Sequence, residues 1–389
     1  MKLAISVVVA VALAACSSDA ADDGNTIAAG GGGGASGAAA GQMAGAGAGG
    51  VGGAGSGGAG AGGAMSTAGE GGTSGGGEGG SAGAAGAAGV DGGDAGGVDA
   101  GDAGDAGNME PLPVCPEGME YPEPEAGDVT EDVCGDFDFA YPYNEGPTWI
   151  ASEGAFFFTN FERGEAESGD IIKYTPGVGC EKFIEGVGCN GLAVSNDGNL
   201  LAACHQTRSI EKFDVATKGA TTVADMFMGE LLDSPNDLVQ HENGGIYFTN
   251  PTYELDGRDP GIGTAIFWLD PDGVLSRLEP TGNPNGIALT PDSTTLFVVG
   301  SGHWDIAADG TPSNHQGGGV GGDGMAMDCA GNLYTSGGNI QDADGNGLGN
   351  FPGGTNLAFG GEDGTTLLVV HGYDPTSART VQMNIPGLP

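Results

Sequence analysis

The sequence predicts an all-β fold, a six-bladed β-propeller preceded by a disordered Gly/Ala-rich tether. Three observations carry this: a hairpin phrase that recurs six times, a blade-like spacing between copies, and an oxygen acceptor at the head of each copy. The clearest copy is Ser234 to Asn250, SPNDLVQHENGGIYFTN. In it, polar Asn236 leads into Leu238 and Val239, a turn spans Asn243 to Gly245, and Ile246 to Thr249 form a β-branched and aromatic return strand. The other copies begin at Glu145, Asn190, Asn285, Asp323 and Asn356, so consecutive starts lie about 33 to 49 residues apart. Each interval has room for two further strands. One copy cannot bury its apolar faces alone, so the six should stack around an axis, with the heads of the innermost strands converging on a central channel.

Upstream of the repeats, residues 1–15 have a basic start at Lys2, an apolar run from Leu3 to Leu13 and a small-residue tail before Cys16. This reads as a lipoprotein signal peptide that leaves Cys16 as the lipidated first residue; an ordinary secretory signal is the alternative. Residues 16–109 are Gly, Ala and Ser with scattered acids and too little apolar surface to offset the entropy of ordering, which predicts a disordered linker. About 90 such residues have a root-mean-square reach of roughly 50 Å. The expected location is therefore that of an exported bacterial lipoprotein on the outer membrane, facing the periplasm or the cell surface. The GxGxxG-like matches in the linker have no strand before them and no helix after, so they carry no phosphate-binding signal.

Residues 110–389 form the expected propeller. The acidic, Pro-rich lead-in becomes strand-like at Phe137 to Tyr143, a candidate for an outer strand closing the ring. Blade one should add a hairpin over Asp170 to Ile184, blade two one within SIEKFDVATKGATTVA, and blade three one within AIFWLDPDGVLSRL. Blade four shows no clear outer pair and reads as a long loop from Gly300 to Gly322, in which His303 and His315 are solvated. Blade five is compressed, and blade six ends in the TVQMNIP strand. Asp342, Asp344, Asn346 and Gly347 resemble the start of an EF-hand loop, but its twelfth position is Gly353, so a hairpin turn is expected there.

A net charge of −42, from 52 acids and 10 bases, argues against nucleic acid as a partner. Beyond Cys16 there are six cysteines, an even number that suits disulfides in an exported chain. Cys115 with Cys134 and Cys180 with Cys189 are the expected local pairs, leaving Cys204 and Cys329 to meet across blades. No GxSxG elbow or HExxH motif occurs in the head, which leaves serine-hydrolase and zincin chemistry unsupported.

The phrases EGPTW, SPNDLV with IYFTNP, PNGIALTPD, DGMAMD with GNLY, and TNLAFGGEDGTTL resemble the senescence-marker-protein-30/gluconolactonase/luciferin-regenerating family, over about residues 137–389. The resemblance implies a six-bladed propeller, lactone hydrolysis, and a divalent metal in the channel, calcium first and zinc or magnesium as alternatives. It implies Glu145, Asn285 and Asp323 as metal ligands, with Asn236 beside them on metal-bound water or substrate. The residue chemistry agrees, since carboxylate and amide oxygens suit a hard cation. The plainer alternative for each is a hydrogen bond capping a strand end.

Asp323 is the expected general base, with pure ligation as its competing role. His205 and Arg208 stand where bacterial relatives often place a proton shuttle and a substrate-binding cation; a surface loop is the alternative reading. Asn190 and Asn356 are read as structural. The chain departs from the family at Asn250 and Gly300, where acids are usual, and in its short blade five. The expected function is metal-dependent hydrolysis of a sugar lactone or related cyclic ester by a monomeric head. The alternative is a non-catalytic, metal-containing propeller that binds a sugar or a protein at the cell surface.

Overall fold

The computed structural model describes residues 115–389, apart from positions 117, 168, 280, 374 and 375. The expected signal peptide over 1–15, lipidation at Cys16 and linker over 16–109 lie outside the described residues.

Six four-stranded antiparallel sheets form the ring, each running in chain order from an innermost to an outermost strand, with one exception. Blade 1 comprises Tyr143–Ile150, Ala155–Phe161, Asp170–Thr175 and Gly179–Glu185. Blade 2 comprises Leu192–Val194, Leu200–Cys204, Ser209–Phe213 and Ala220–Ala224. In blade 3, Leu238–Gln240 pairs with Ile246–Asn250 in the expected register, Leu238 opposite Phe248, and Ala265–Leu269 and Leu275–Leu278 follow. Blades 4 and 5 begin with Ile287–Leu289 and Met325–Met327. Blade 6 is the exception. Its inner three strands, Asn356–Gly360, Thr366–His371 and Ser377–Met383, come from the end of the chain, and the outermost, Ala126–Thr130, comes from ahead of blade 1.

The closing strand therefore differs from the sequence expectation of Phe137 to Tyr143. Val129 pairs with Val381 and Thr130 with Thr380. An outermost strand meets solvent along one edge, so the mostly polar AGDVT can serve, and no apolar pattern marks it. Phe137 and Phe139 instead form an aromatic cover on blade 1, with Phe139 6.2 Å from Phe158.

Blade 4 also differs from expectation, because it has a complete outer pair, Gly302–Ile306 with Pro312–Gln316. Gly302, Trp304 and Ile306 are buried while His303 and Asp305 are half-buried. His303 lies 5.2 Å from Phe297 and His315 4.4 Å from Trp304, so both rings pack within the blade. The Asp342 to Gly347 stretch is a hairpin turn, with Asp342 Oδ1 accepting from the Asp344 and Asn346 amides.

An apolar cluster fills each junction between neighbouring blades. Phe157 and Leu200 meet between blades 1 and 2, for example, and Phe248 and Leu201 between blades 2 and 3. The disulfides are Cys115–Cys329, Cys134–Cys180 and Cys189–Cys204, none of the expected pairs. Proximity along the chain is a poor guide when adjacent strands bring residues 15 or more positions apart within bonding distance.

Candidate active site in the central channel

The channel wall is made by the heads of the innermost strands, and a repeated backbone contact sets its geometry. The Gly191 amide donates to the Asn236 carbonyl at 2.6 Å, and Gly286 donates to the Asp323 carbonyl at 2.9 Å. Threonines bridge other junctions, Thr159 Oγ1 to Asn190 O at 2.7 Å and Thr249 Oγ1 to Asn285 O at 2.8 Å. The heads Asn190, Asn236, Asn285 and Asp323 are thus each held by the blade before them. In blade 1, a one-residue register shift between Glu145 and Thr148 leaves a bulge at Gly146–Pro147 that re-aims the strand head. Gly146 has φ 50°, and a Cβ there would meet the Gly191 Cα at 2.4 Å, so both its conformation and its contact exclude a side chain.

The acids are brought together by this packing. Asp323 accepts from Tyr143 Oη at 3.1 Å on one oxygen and from Asn285 Nδ2 at 2.6 Å on the other, which fixes its orientation. Glu145 is buried and within electrostatic reach of Asp323; burial first, then that neighbouring charge, hold its carboxyl well above the usual carboxylate range. Burial likewise raises Asp323, against hydrogen bonds from Tyr143 and Asn285 that favour its anion. Asn236 occupies the corresponding head of blade 3 and is buried, as are Asn190 and Asn356. Among the described residues no three His, Cys, Asp or Glu side chains converge as a complete metal cage. Two carboxylates and flanking amide oxygens are nevertheless hard donors of the kind a calcium-like ion takes, so the set fits such an ion with amides completing it.

Asp237 belongs to this channel and was missed. Four of the six strand heads are followed by glycine, whereas Asn236 is followed by Asp237. Asp237 takes the place of a glycine and sends a buried carboxylate inward, where Asn356 Nδ2 donates to it at 3.4 Å from the opposite blade. Burial is the main cause that pushes its pKa up to about 7. Asn356 also donates to Glu145, so the asparagine expected to be structural links two channel acids. The lower channel narrows to a cavity of about 70 Å³ beside Asp237 and Asn356, and Leu388, whose amide donates to Met327 O at 2.9 Å, lines that end.

At the opposite end, the channel mouth, Tyr143, Arg163, Tyr253, Glu254 and Tyr373 gather within ring contact or electrostatic reach, none of them anticipated. Tyr373 lies 5.1 Å from the Tyr143 ring, and the Arg163 guanidinium lies over that ring at 5.6 Å from its centroid. Tyr253 Oη donates to Asn283 Oδ1 at 3.3 Å. Glu254 is buried, accepts from Ser234 Oγ at 2.9 Å, and has its pKa pushed up to about 7, chiefly by burial.

His205 and Arg208 lie in the loop between the second and third strands of blade 2. His205 is fully buried against Phe161, ring centroids 5.1 Å apart. Arg208 pairs with buried Asp233 at 3.2 Å and donates to the Leu232 and Asp259 carbonyls, which makes it a clasp between loops. The family departures are structural as well. Asn250 accepts from the Asp233 amide at 2.9 Å and donates to Gly263 O at 3.1 Å. Gly300 has φ 74°, and a Cβ there would meet Asn283 O at 2.4 Å.

Residues 143–372 match the family model described as SMP-30/gluconolactonase/LRE-like region. The chain belongs to this family. A gluconolactonase of Zymomonas mobilis subsp. mobilis is 30% identical over 285 residues, covering 61% of this chain and 78% of the relative. Among solved structures, a putative gluconolactonase superposes with TM-score 0.57 at 25% identity, over 72% of this chain and 97% of its own. A gluconolactonase from Xanthomonas campestris gives 0.54 at 23% identity, over 67% of this chain and 99% of its own. The calcium-binding protein regucalcin from Agrobacterium tumefaciens gives 0.53 at 21%, over 67% and 95%. The last two share the propeller fold.

Proposed function

We propose that the protein is a lactonase whose central-channel acids hydrolyse a sugar lactone or related cyclic ester with a divalent metal as cofactor. Membership of the gluconolactonase family supports lactone hydrolysis. The observation that carries the reading for this chain is the oriented carboxylate of Asp323, fixed by Tyr143 and Asn285 beside Glu145. Glu145, Asp323 and Asn285 would hold the metal, with Asn236 adjacent. Such an ion supplies Lewis-acid polarisation and a lowered water pKa.

The residues do the rest. Asp323, held in place by hydrogen bonds from Tyr143 and Asn285, accepts the proton of the attacking water. The water oxygen bonds to the acyl carbon, the acyl–oxygen bond of the ring breaks, and the proton returns to the departing alkoxide to give the hydroxy acid. Tyr143 keeps Asp323 aimed, and Tyr253 and Asn283 offer polar atoms to ring hydroxyls. His205 and Arg208 are assigned no chemical step.

The alternative, a non-catalytic propeller that binds a sugar or a protein, is the one favoured by the missing acids at Asn250 and Gly300, and turnover separates the two readings. The test is hydrolysis of a lactone panel, followed by pH-indicator assay with calcium, zinc or magnesium added back after chelation. Metal-dependent turnover that disappears in Asp323→Ala is expected. Metal binding without turnover on any lactone would overturn the reading. We further propose, from the signal and Cys16, that the chain is an exported lipoprotein; palmitate labelling lost in Cys16→Ser checks this.

A further inference from the structure

We infer that Arg163 is a specificity residue and that the substrate is a lactone carrying a carboxylate on its ring or side chain. This rests on the lactonase reading and narrows it to a substrate class. The chain has 10 Lys and Arg against 52 Asp and Glu, and six of the nine described bases hold a carboxylate. Lys173, Lys182, Arg208, Lys212, Arg277 and Arg379 each hold an ion pair. Arg258 is bound to the carbonyls of His205, Gln206, Glu254 and Leu255, and Lys218 lies over Phe183 on an outer strand.

Arg163 alone among the described bases stands at the channel mouth, exposed, with no carboxylate in salt-bridge contact, although Asp323 and Glu254 act on it at longer range. Its stem is positioned by the Tyr143 ring, whose hydroxyl reaches Asp323, so the cation sits one phenol ring away from the proposed reacting centre. Tyr373, the Tyr253 hydroxyl and Asn283 complete a polar, aromatic rim of the kind that receives a polyhydroxylated ring.

In a protein of this charge an anionic substrate gains from a cation at the point where it enters the acid-lined channel. A guanidinium fork accepts a carboxylate in bidentate fashion, and stacking over a ring leaves its donors free to do so. One cation balances one negative charge, which favours a carboxylate over a phosphate dianion.

The experiment compares D-glucaro-1,4-lactone, which bears a carboxylate, with neutral D-glucono-1,5-lactone on wild type, Arg163→Gln and Arg163→Lys. Arg163→Gln should lower the ratio of kcat/KM for the charged over the neutral lactone tenfold or more, mainly through KM, with Arg163→Lys in between. A ratio unchanged within twofold overturns the inference. If wild type hydrolyses neither of these two lactones, the lactonase reading stands or falls with the wider panel, and the Arg163 assignment is decided by binding instead. Calorimetry of D-glucuronate and D-glucose in chelator should show wild type preferring glucuronate tenfold and Arg163→Gln losing that preference. Equal binding of the two by wild type overturns the assignment, as does tighter binding of D-glucose 6-phosphate than of glucuronate.

Discussion

Phe267 and Glu145 are both buried and both belong to strands of the same ring, yet burial has opposite consequences for them. Phe267 lies between blades 2 and 3 with Phe248 5.2 Å away, and removing its ring from water is favourable. Glu145 faces the channel, where loss of water and the nearby Asp323 penalise its charge. Six apolar wedges hold the ring shut, and the acids they enclose are kept at a cost to stability. Such retention is expected where acids serve chemistry or a cation.

The sharpest break between the two regions is in activity. Glu145→Gln should lower lactone turnover on the order of 10³-fold, about 4 kcal/mol of transition-state stabilisation, while the melting temperature in chelator stays level or rises. Added metal should then raise the melting point of wild type but not of the variant, as calorimetry with and without calcium would show. Phe267→Ala should do the reverse, costing about 3–5 kcal/mol of stability and lowering the melting point by roughly 10 °C, with residual activity per folded molecule retained. Circular-dichroism melts paired with initial rates separate the two classes.

A smaller effect is expected at the Cys189–Cys204 bond, which closes a span of 15 residues at the junction of blades 1 and 2. Replacing both cysteines with serine should cost about 3 kcal/mol on loop-closure reasoning, measured by denaturant titration against wild type under oxidising conditions.

The mildest difference is pH-dependent and lies at the mouth. Glu254 has a raised folded pKa, so its contribution to stability is fully present below the ordinary carboxylate range and is lost as pH rises to about 7. Glu254→Gln should therefore match wild type near pH 4.5 and exceed it above pH 7, by up to about 3 kcal/mol if the whole shift is expressed. Melting curves in chelator across that range measure the gap. A gap that shrinks with rising pH would contradict the sign.

The inner hairpins were legible because alternation and turn chemistry are local: the Asn243 to Gly245 turn and its flanking apolar runs specify the Leu238–Phe248 register unaided. The heads Glu145, Asn285 and Asp323 were legible for the same reason, since a polar residue before each inner strand repeats along the chain. Asp237 carried a readable signal, an acid where four other heads have glycine, that becomes meaningful only once the close blade contacts are seen.

Other features depended on partners far away in sequence. Ala126–Thr130 is a strand because blade 6 presents an unpaired edge, and Cys115 bonds Cys329 across 214 residues because ring closure brings the two ends together. The channel mouth is the strongest case. Tyr143 and Arg163 come from blade 1, Glu254 from blade 3 and Tyr373 from blade 6, and each sits in or beside a segment with no repeating pattern. Local sequence determined the repeat, the hairpins and the ring of polar strand heads, because those follow from spacing of two and from turns. The tertiary structure alone decided which acids face one another, which base stands unpaired and which strand closes the ring, because those depend on radial packing that places distant segments at one axis.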